Sequence, residues 1–289
     1  MNRFALGTAQ FGNPYSIANQ EGPVSRLIAK DILHAAAIHG IDTIDTAIAY
    51  GDSEIYLGEA GTKNFKVVTK LPEVPESRAD IRAWIKDQID GSLARLQISS
   101  VYGLLLHQPY QLLKSNGKLI YKVLQELKET EQIQKIGISI YSPNELDAIT
   151  ENYRLDLVQA PFNLVDRRLH TSGWLQQLKH AKIEIHTRSA FLQGLLLLPK
   201  TALPKKFGAW SHLWNQWHDW LDHYTVPAVQ ASLAYPLSFP GIDRIVVGTD
   251  NVKQLEQIMR LESGFPIPEL PNLECNEENL INPSKWVNL

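Results

Sequence analysis

Apolar residues along the chain fall into two alternating kinds of run. The short ones are FALGTA (4–9), DTIDTA (42–47), KVVTK (66–70), GLLLH (103–107), KIGIS (135–139), LDLVQA (155–160), IEIHTRS (183–189) and RIVVG (244–248). Most of them are apolar almost throughout, which is the pattern of strands buried on both faces and therefore of a parallel sheet. The longer runs between them are amphipathic with helical spacing. Ile81, Ile85, Ile89 and Leu93 share one face of a helix over 77–97. Further helices are expected over 25–40, 53–61, 119–130, 142–150, 171–181, 209–224, 226–237 and 251–262. Ser25 reads as an N-cap with Gly40 just beyond the end of its helix. Ser142 reads as an N-cap with Pro143 in the first helical position.

Eight strand–helix units in roughly 250 residues specify an α/β fold, a TIM (β/α)8 barrel in a single domain. A doubly wound sheet is the rival architecture, but it carries G-x-G-x-x-G after its first strand, and neither that motif nor a Walker A loop occurs here. Residues 263–289, with prolines at 266, 268, 271 and 283, read as an extended C-terminal tail laid over the barrel.

Composition narrows the partners more than the fold. The formal net charge is −3 and no block of like charge stands out, which argues against nucleic acid or an anionic membrane as a partner. A lone cysteine, Cys275, rules out a disulfide within the chain and fits a reducing compartment such as the cytoplasm. The N-terminal residues lack the apolar core of a signal peptide, and the run Gly194–Pro199 is far too short to span a bilayer. No residue set has the spacing of a metal site.

In a barrel of this type, chemistry gathers at the C-terminal ends of the strands. Strand two ends at Asp45 and leads to Tyr50, strand three ends at Lys70, and strand four at His107. Any one of these polar residues would read as a satisfied loop anchor, but four on three consecutive strands converge. Thr43 and Asp45 share a pleat face, taken as the interior, with Asp42 pointing the other way in a structural role. A buried lysine beside an aspartate is a tolerable ion pair. Its ammonium next to a phenol is expected to favour the phenolate and so lower the tyrosine's pKa from about 10. A proton-donating phenol with a histidine nearby suits carbonyl reduction: Tyr50 donates the proton and His107 hydrogen-bonds the oxygen as charge develops there.

GIDTIDTAIAYGDSE (40–54) resembles the IDTA-x-x-YG-x-SE signature of the aldo-keto reductase superfamily, with VVTK placing Lys70 and LLLHQP placing His107. The resemblance runs over nearly the whole chain, and it implies an NAD(P)H-dependent reductase of aldehydes or ketones with Asp45, Tyr50, Lys70 and His107 as the catalytic residues. IQKIGISIYSP is similar to the segment that implies Ser139 at the nicotinamide carboxamide, joined by Gln159 from LVQAPFNLVDRR. Ile140 stands where the family often has Asn, and Arg188 where it commonly has the aromatic that stacks on the nicotinamide. The resemblance further implies Ser189, Phe191 and Gly194 along the pyrophosphate, with Gly248, Thr249 and Gln254 at the adenosine phosphate end. It implies NADPH as cofactor, with NADH as the alternative, because some members carry an arginine against the 2′-phosphate where this chain has Gln254. Lys253 is the nearby cation. The partner implied is a small-molecule carbonyl compound. A nucleotide-binding barrel with a regulatory or redox-sensing role and little turnover is the other reading.

Trp210, Trp214, Trp217 and Trp220 lie on or near one helical stripe, which reads as packing against the barrel wall or as a lid over the ligand. Phe11, Tyr15, Tyr110 and Phe162 fall in loops at the strand ends, where they would shape a substrate pocket or anchor the loops.

Overall fold

The computed structural model describes residues 2–13, 17, 19, 22–260 and 267–289. Eight parallel strands close into a barrel in strictly sequential order: β1 (Phe4–Gly7), β2 (Thr43–Asp45), β3 (Lys66–Leu71), β4 (Val101–Leu106), β5 (Ile133–Ser139), β6 (Leu157–Pro161), β7 (Glu184–Arg188) and β8 (Arg244–Gly248). β1 pairs with β2 on one side and β8 on the other, with Gly7 level with both Asp45 and Gly248. That register sets the ends of three strands at one height. The helices on the outside are α1 (Arg26–Ile38), α2 (Ser53–Ala60), α3 (Ile81–Leu96), α4 (Gly117–Glu129), α5 (Glu145–Asn152), α6 (Arg168–Thr171), α7 (Trp174–His180), α8 (Ser211–Tyr224), α9 (Ala228–Leu237), α10 (Val252–Met259) and α11 (Glu278–Ile281). Every strand and every long helix read from the sequence is present, displaced by a few residues at most.

Two details differ. Ser25 caps α1 as expected, accepting a hydrogen bond from the Ile28 N–H at 3.4 Å. Ser142 does not cap α5. The backbone makes a turn over 142–146 first, and the Glu145 carboxylate accepts from the Tyr141 and Ser142 N–H groups at 2.7 Å each. The Glu145 N–H, which a capping hydroxyl at 142 would bind, goes to Ser142 O at 3.1 Å, and α5 begins only at Glu145. The tail has no regular structure over 267–277; it then forms α11 and a 3-10 turn (Pro283–Asn288). There Trp286 is buried, packs edge-on against Phe207 and donates its indole N–H to Leu280 O at 3.0 Å. Residues 263–266 of that segment, Pro266 among them, lie outside the described residues.

The barrel interior is layered. Val68, Leu105 and Leu157 form a thin apolar layer, with Tyr102 packed against it. Below it, toward the strand starts, Asp42 is bonded by Lys66 and Arg244, while Glu184 accepts from Tyr102 and pairs with Lys135. Asp42 thus has a structural role as read, but it precedes β2 and joins Lys66 and Arg244 at the foot of the interior instead of pointing away from it. Above the apolar layer stand Asp45, Lys70, Ser139 and Gln159. The larger core lies outside the sheet, between strands and helices.

The tryptophan stripe is packing. Trp210, Trp214 and Trp217 are buried, and Trp217 is fully so. The indole N–H groups of Trp214, Trp217 and Trp220 donate to backbone, to Phe207 O, Leu196 O and Glu269 O, each at 3.0 Å. Trp217 and Trp220 stack with planes 3° apart. Through Leu196, Trp217 anchors the segment that follows β7. Trp217→Ala is therefore expected to lower unfolding stability by about 3–5 kcal/mol, read from urea denaturation, with the loop at 189–197 losing hydrogen-exchange protection.

Candidate active site

The loop carrying Tyr50 is fixed by buried polar contacts. After β2, the Thr46 N–H donates to Val68 O and the Ile48 N–H to Lys70 O, so the chain follows β3 before it turns. The Tyr50 N–H closes a turn onto Ala47 O, and Gly51 then takes φ +52°, a left-handed conformation that favours glycine. Ser53 Oγ lies 2.8 Å from Thr8 Oγ1, 3.0 Å from Thr8 O and 3.0 Å from Thr46 Oγ1, which ties the start of α2 to β1. The next residue, Glu54, is buried and accepts from Thr69 at 2.7 Å, Ser92 at 2.6 Å and Arg95 at 2.9 Å. Sequence reasoning treated Ser53 and Glu54 only as letters of a motif. The available signal was a Ser-Glu pair at the start of a helix whose apolar positions did not account for it.

Inside the barrel Lys70 and Asp45 form an ion pair, with the ammonium 1% and the carboxylate 7% exposed. Lys70 Nζ donates to both Asp45 oxygens at 2.8 and 2.7 Å and to Thr46 O at 2.8 Å. It lies 4.9 Å from the centroid of the Tyr50 ring. The Tyr50 and His107 rings meet edge to face, with centroids 5.9 Å apart. The four residues expected to act together are thus brought together.

Their electrostatics depart from the sequence expectation. The Tyr50 pKa is raised, not lowered: burial is the main cause, the Asp45 charge adds to it, and the cation that works against both is Arg188. A lysine engaged by an aspartate carries little net field to the phenol above it, so desolvation of the phenolate dominates. His107 is shifted to about 4 by burial and by the charges of Lys70 and Arg188, so at neutral pH it is an uncharged imidazole with one N–H to donate.

Gln159 is tied into the ion pair. Its Nε2 donates to Asp45 Oδ1 at 2.6 Å, and Ser139 Oγ donates to Gln159 Oε1 at 3.2 Å. Both side chains stand beside the tetrad but line no part of the adjoining cavity. That cavity, about 310 Å³, starts at Asp45 and Tyr50 and passes Arg188, Ser189, Phe191 and Gly194. It ends at Gly248, Asp250 and Gln254 beyond β8. Thr249 lies just outside the lining, with its hydroxyl buried and without a hydrogen-bond partner. Gln10 and Asp250 are cavity residues that sequence reasoning missed. Gln10 follows β1, and its amide would lie 2.3 Å from a Cβ at Gly248, so a side chain at that position would displace the glutamine amide. Gln254 Oε1 accepts from the Asp250 N–H at 2.8 Å. Lys253 is exposed and does not line the cavity.

The segment along one wall is strained. Ser189, Leu192 and Gln193 have φ of 62°, 48° and 50°, values that cost side-chain-bearing residues energy and persist only where surroundings impose them. Asn163 imposes part of this, donating to Ser189 O at 2.9 Å. Of the aromatic loop residues, Phe11 and Phe162 are fully buried in the core, Tyr110 is exposed beside Lys114, and Tyr15 lies outside the described residues. None of the three described ones lines the cavity.

The aldo/keto reductase family profile matches residues 3–269, and the chain belongs to that family. Aldo-keto reductase YhdN from Bacillus subtilis (strain 168) is 27% identical over 206 residues, which is 68% of this chain and 60% of that protein's length. Among solved structures, aldo-keto reductase AKR11C1 from Bacillus halodurans in its holo form superposes with a TM-score of 0.73 at 18% identity, over 92% of this chain and 88% of that one. The glycerol dehydrogenase AKR11B4 from Gluconobacter oxydans gives 0.69 at 22% identity, over 93% and 88%. At these identities the two structures speak for the fold. Among the described residues no helix is long and apolar enough to cross a membrane.

The lowered His107 pKa links the site to stability. Its folded value lies below the unfolded one of about 6.5. As pH falls from about 6.5 toward 4, the unfolded chain therefore takes up a proton that the folded chain refuses, and stability is lost across that window. His107→Gln is expected to flatten this part of the pH–stability curve, and NMR titration of wild-type imidazoles is expected to place His107 near 4.

Proposed function

We propose that this protein reduces an aldehyde or ketone to an alcohol, using a dihydronicotinamide nucleotide, with Tyr50 as the proton donor. The observation that carries the reading is a buried, protonated phenol held against Lys70 and His107 at one end of a cavity that runs on to β8. The nucleotide, when bound, supplies the hydride. Ser189, Phe191 and Gly194 would lie along its pyrophosphate and Gly248, Thr249 and Gln254 at its adenosine phosphate end, whereas Ser139 and Gln159, which the resemblance places at the carboxamide, are committed to each other and to Asp45. The residues suit such a ligand: the unpartnered Thr249 hydroxyl would gain a phosphate acceptor, and Gly248 leaves no side chain in the way.

As the carbonyl carbon gains the hydride, its π electrons move onto oxygen, and Tyr50 passes its proton to that oxygen. The raised pKa keeps the phenol protonated until then. Transfer remains favourable because an alkoxide is a far stronger base than a phenolate. The cation whose field favours the phenolate left behind is Arg188, while Lys70 lies beneath the ring with its charge taken up by Asp45. His107, neutral at physiological pH, donates an N–H to the same oxygen, a contribution of about 10²–10³ in kcat for a donor of this kind.

For the nucleotide, the carboxylate of Asp250 favours NADH over the NADPH that the resemblance implies. A 2′-phosphate needs a cation, and a carboxylate at that end of the cavity repels it while accepting from ribose hydroxyls. The test is fluorescence titration with both nucleotides, followed by absorbance at 340 nm with a panel of carbonyl compounds. NADH is expected to bind more tightly than NADPH, and Tyr50→Phe to keep that binding while losing at least about 100-fold in kcat. Turnover retained in Tyr50→Phe would remove the phenol from the mechanism.

A further inference from the structure

Arg188 ends β7 and lines the cavity that Tyr50 also lines, half-buried, in the place where the resemblance has the aromatic that stacks on the nicotinamide. Its Nη2 donates to Ile140 O at 2.9 Å and its Nη1 to Ser189 Oγ at 3.2 Å, and its guanidinium carbon lies 4.7 Å from the centre of the Tyr141 ring. Contacts from the segments after β5 and β7 thus hold the fork at the cavity wall. All three partners are neutral, and among the described residues no carboxylate pairs with it. A guanidinium is charged at every working pH, so this position carries a full positive charge where an aromatic would carry none.

The described residues at this end of the cavity do not cancel that charge. Lys70 and Asp45 neutralise each other, Tyr50 is a protonated phenol and His107 an uncharged imidazole. The field of Arg188 reaches both Tyr50 and His107. Asp250, the other carboxylate lining the cavity, stands beyond β8.

The reaction changes the charge that Arg188 faces. Tyr50 protonates the carbonyl oxygen, so the hydride must be delivered at the same end of the cavity, beside Arg188. A dihydronicotinamide ring is neutral and electron-rich, and a guanidinium against such a ring is favourable, as it is against Tyr141. Loss of the hydride leaves the ring with one positive charge. The Tyr50 phenolate balances this charge only until Tyr50 takes a proton back. Two cations then share a partly desolvated cavity, a repulsion of about tenfold or more in affinity for unit charges a few ångströms apart. The pyrophosphate is negative in both forms, so its attraction to Arg188 cancels in the comparison.

We propose that Arg188 discriminates between the oxidation states of the nicotinamide: it accepts the reduced ring and repels the oxidised one, so that the spent nucleotide leaves readily and the site is built for the reductive direction. The proposal rests on the reading of the cavity as the nucleotide site and of Tyr50 as proton donor. The balance is that already given: the ring gives up a hydride to the carbonyl carbon, Tyr50 gives a proton to the oxygen, and Arg188 gains and loses nothing.

The test is the ratio of two dissociation constants, NAD+ over NADH, measured by calorimetry without a carbonyl compound in wild type, Arg188→Gln, Arg188→Tyr and Arg188→Lys. Wild type is expected to bind NADH about tenfold or more tightly than NAD+. Arg188→Gln and Arg188→Tyr are expected to lower that ratio by about tenfold, whatever happens to the absolute affinities, and Arg188→Lys to keep most of it because it keeps the charge. The same ratio is expected for NADP+ over NADPH, since the ring is the same, so the result does not depend on which nucleotide is preferred. Equal affinity of wild type for the two oxidation states overturns the proposal. So does an Arg188→Gln variant that loses both forms in proportion, because the fork then serves only packing or the phosphates. If no nucleotide binds, the reductase reading falls and takes the proposal with it. If the ratio behaves as expected but no carbonyl compound is turned over, the role of Tyr50 falls and the discrimination by Arg188 stands.

Discussion

Two opposite charges buried inside a closed sheet are the constraint around which this site is built. Lys70 and Asp45 sit where water does not reach, and each alone would be several kcal/mol unfavourable. Together they are tolerated only because every strong donor and acceptor is matched: Lys70 uses both Asp45 oxygens and Thr46 O, and Asp45 takes a further bond from Gln159, which takes one from Ser139. The chain of bonds spans β2, β3, β5 and β6, so the ends of four strands are held in one geometry. Below it, the apolar layer of Val68, Leu105 and Leu157 separates this network from the ion pairs at the strand starts. Tyr50 lies over the lysine, and the phenol inherits a position that the ion pair dictates.

The cavity wall is made in two ways. One side consists of strand ends and a loop bolted by Ser53 and Glu54, with little freedom to move. The other is the stretch from Arg188 to Leu197, where several residues hold left-handed conformations and the anchor is distant: Asn163 on Ser189, and Trp217 on Leu196. The proposed proton donor stands on the first wall and the proposed nucleotide contacts on the second, a sensible division because proton transfer tolerates less positional error than recognition does.

Much of this was legible in the sequence. Near-continuous apolar strands announced a parallel sheet, and their count announced the barrel. The period of two placed Thr43 and Asp45 inside, which Arg244 bears out by bonding Thr43 Oγ1 across the interior. What escaped depended on distances that only the fold fixes. The expected lowering of the Tyr50 pKa assumed a lysine free to act on it; burial and an ion pair reverse the sign. The resemblance implies Gln159 as a contact of the nicotinamide carboxamide, and what the motif does not disclose is that its amide is engaged by Asp45. Phe11 and Phe162 looked like pocket residues because loops are usually superficial, but both are fully buried. Ser142 lost its capping role to a backbone turn, in which its own carbonyl takes the Glu145 N–H that its hydroxyl would have bound.

The most direct test of the buried pair is a double-mutant cycle with Asp45→Asn, Lys70→Met and the combination, each followed by urea denaturation at neutral pH. The account predicts that each single change costs about 3–5 kcal/mol by leaving one buried charge uncompensated, and that the double variant loses no more than either single one. Costs that simply add would mean that the two charges do not depend on each other, and the account of how the barrel holds its site would be contradicted.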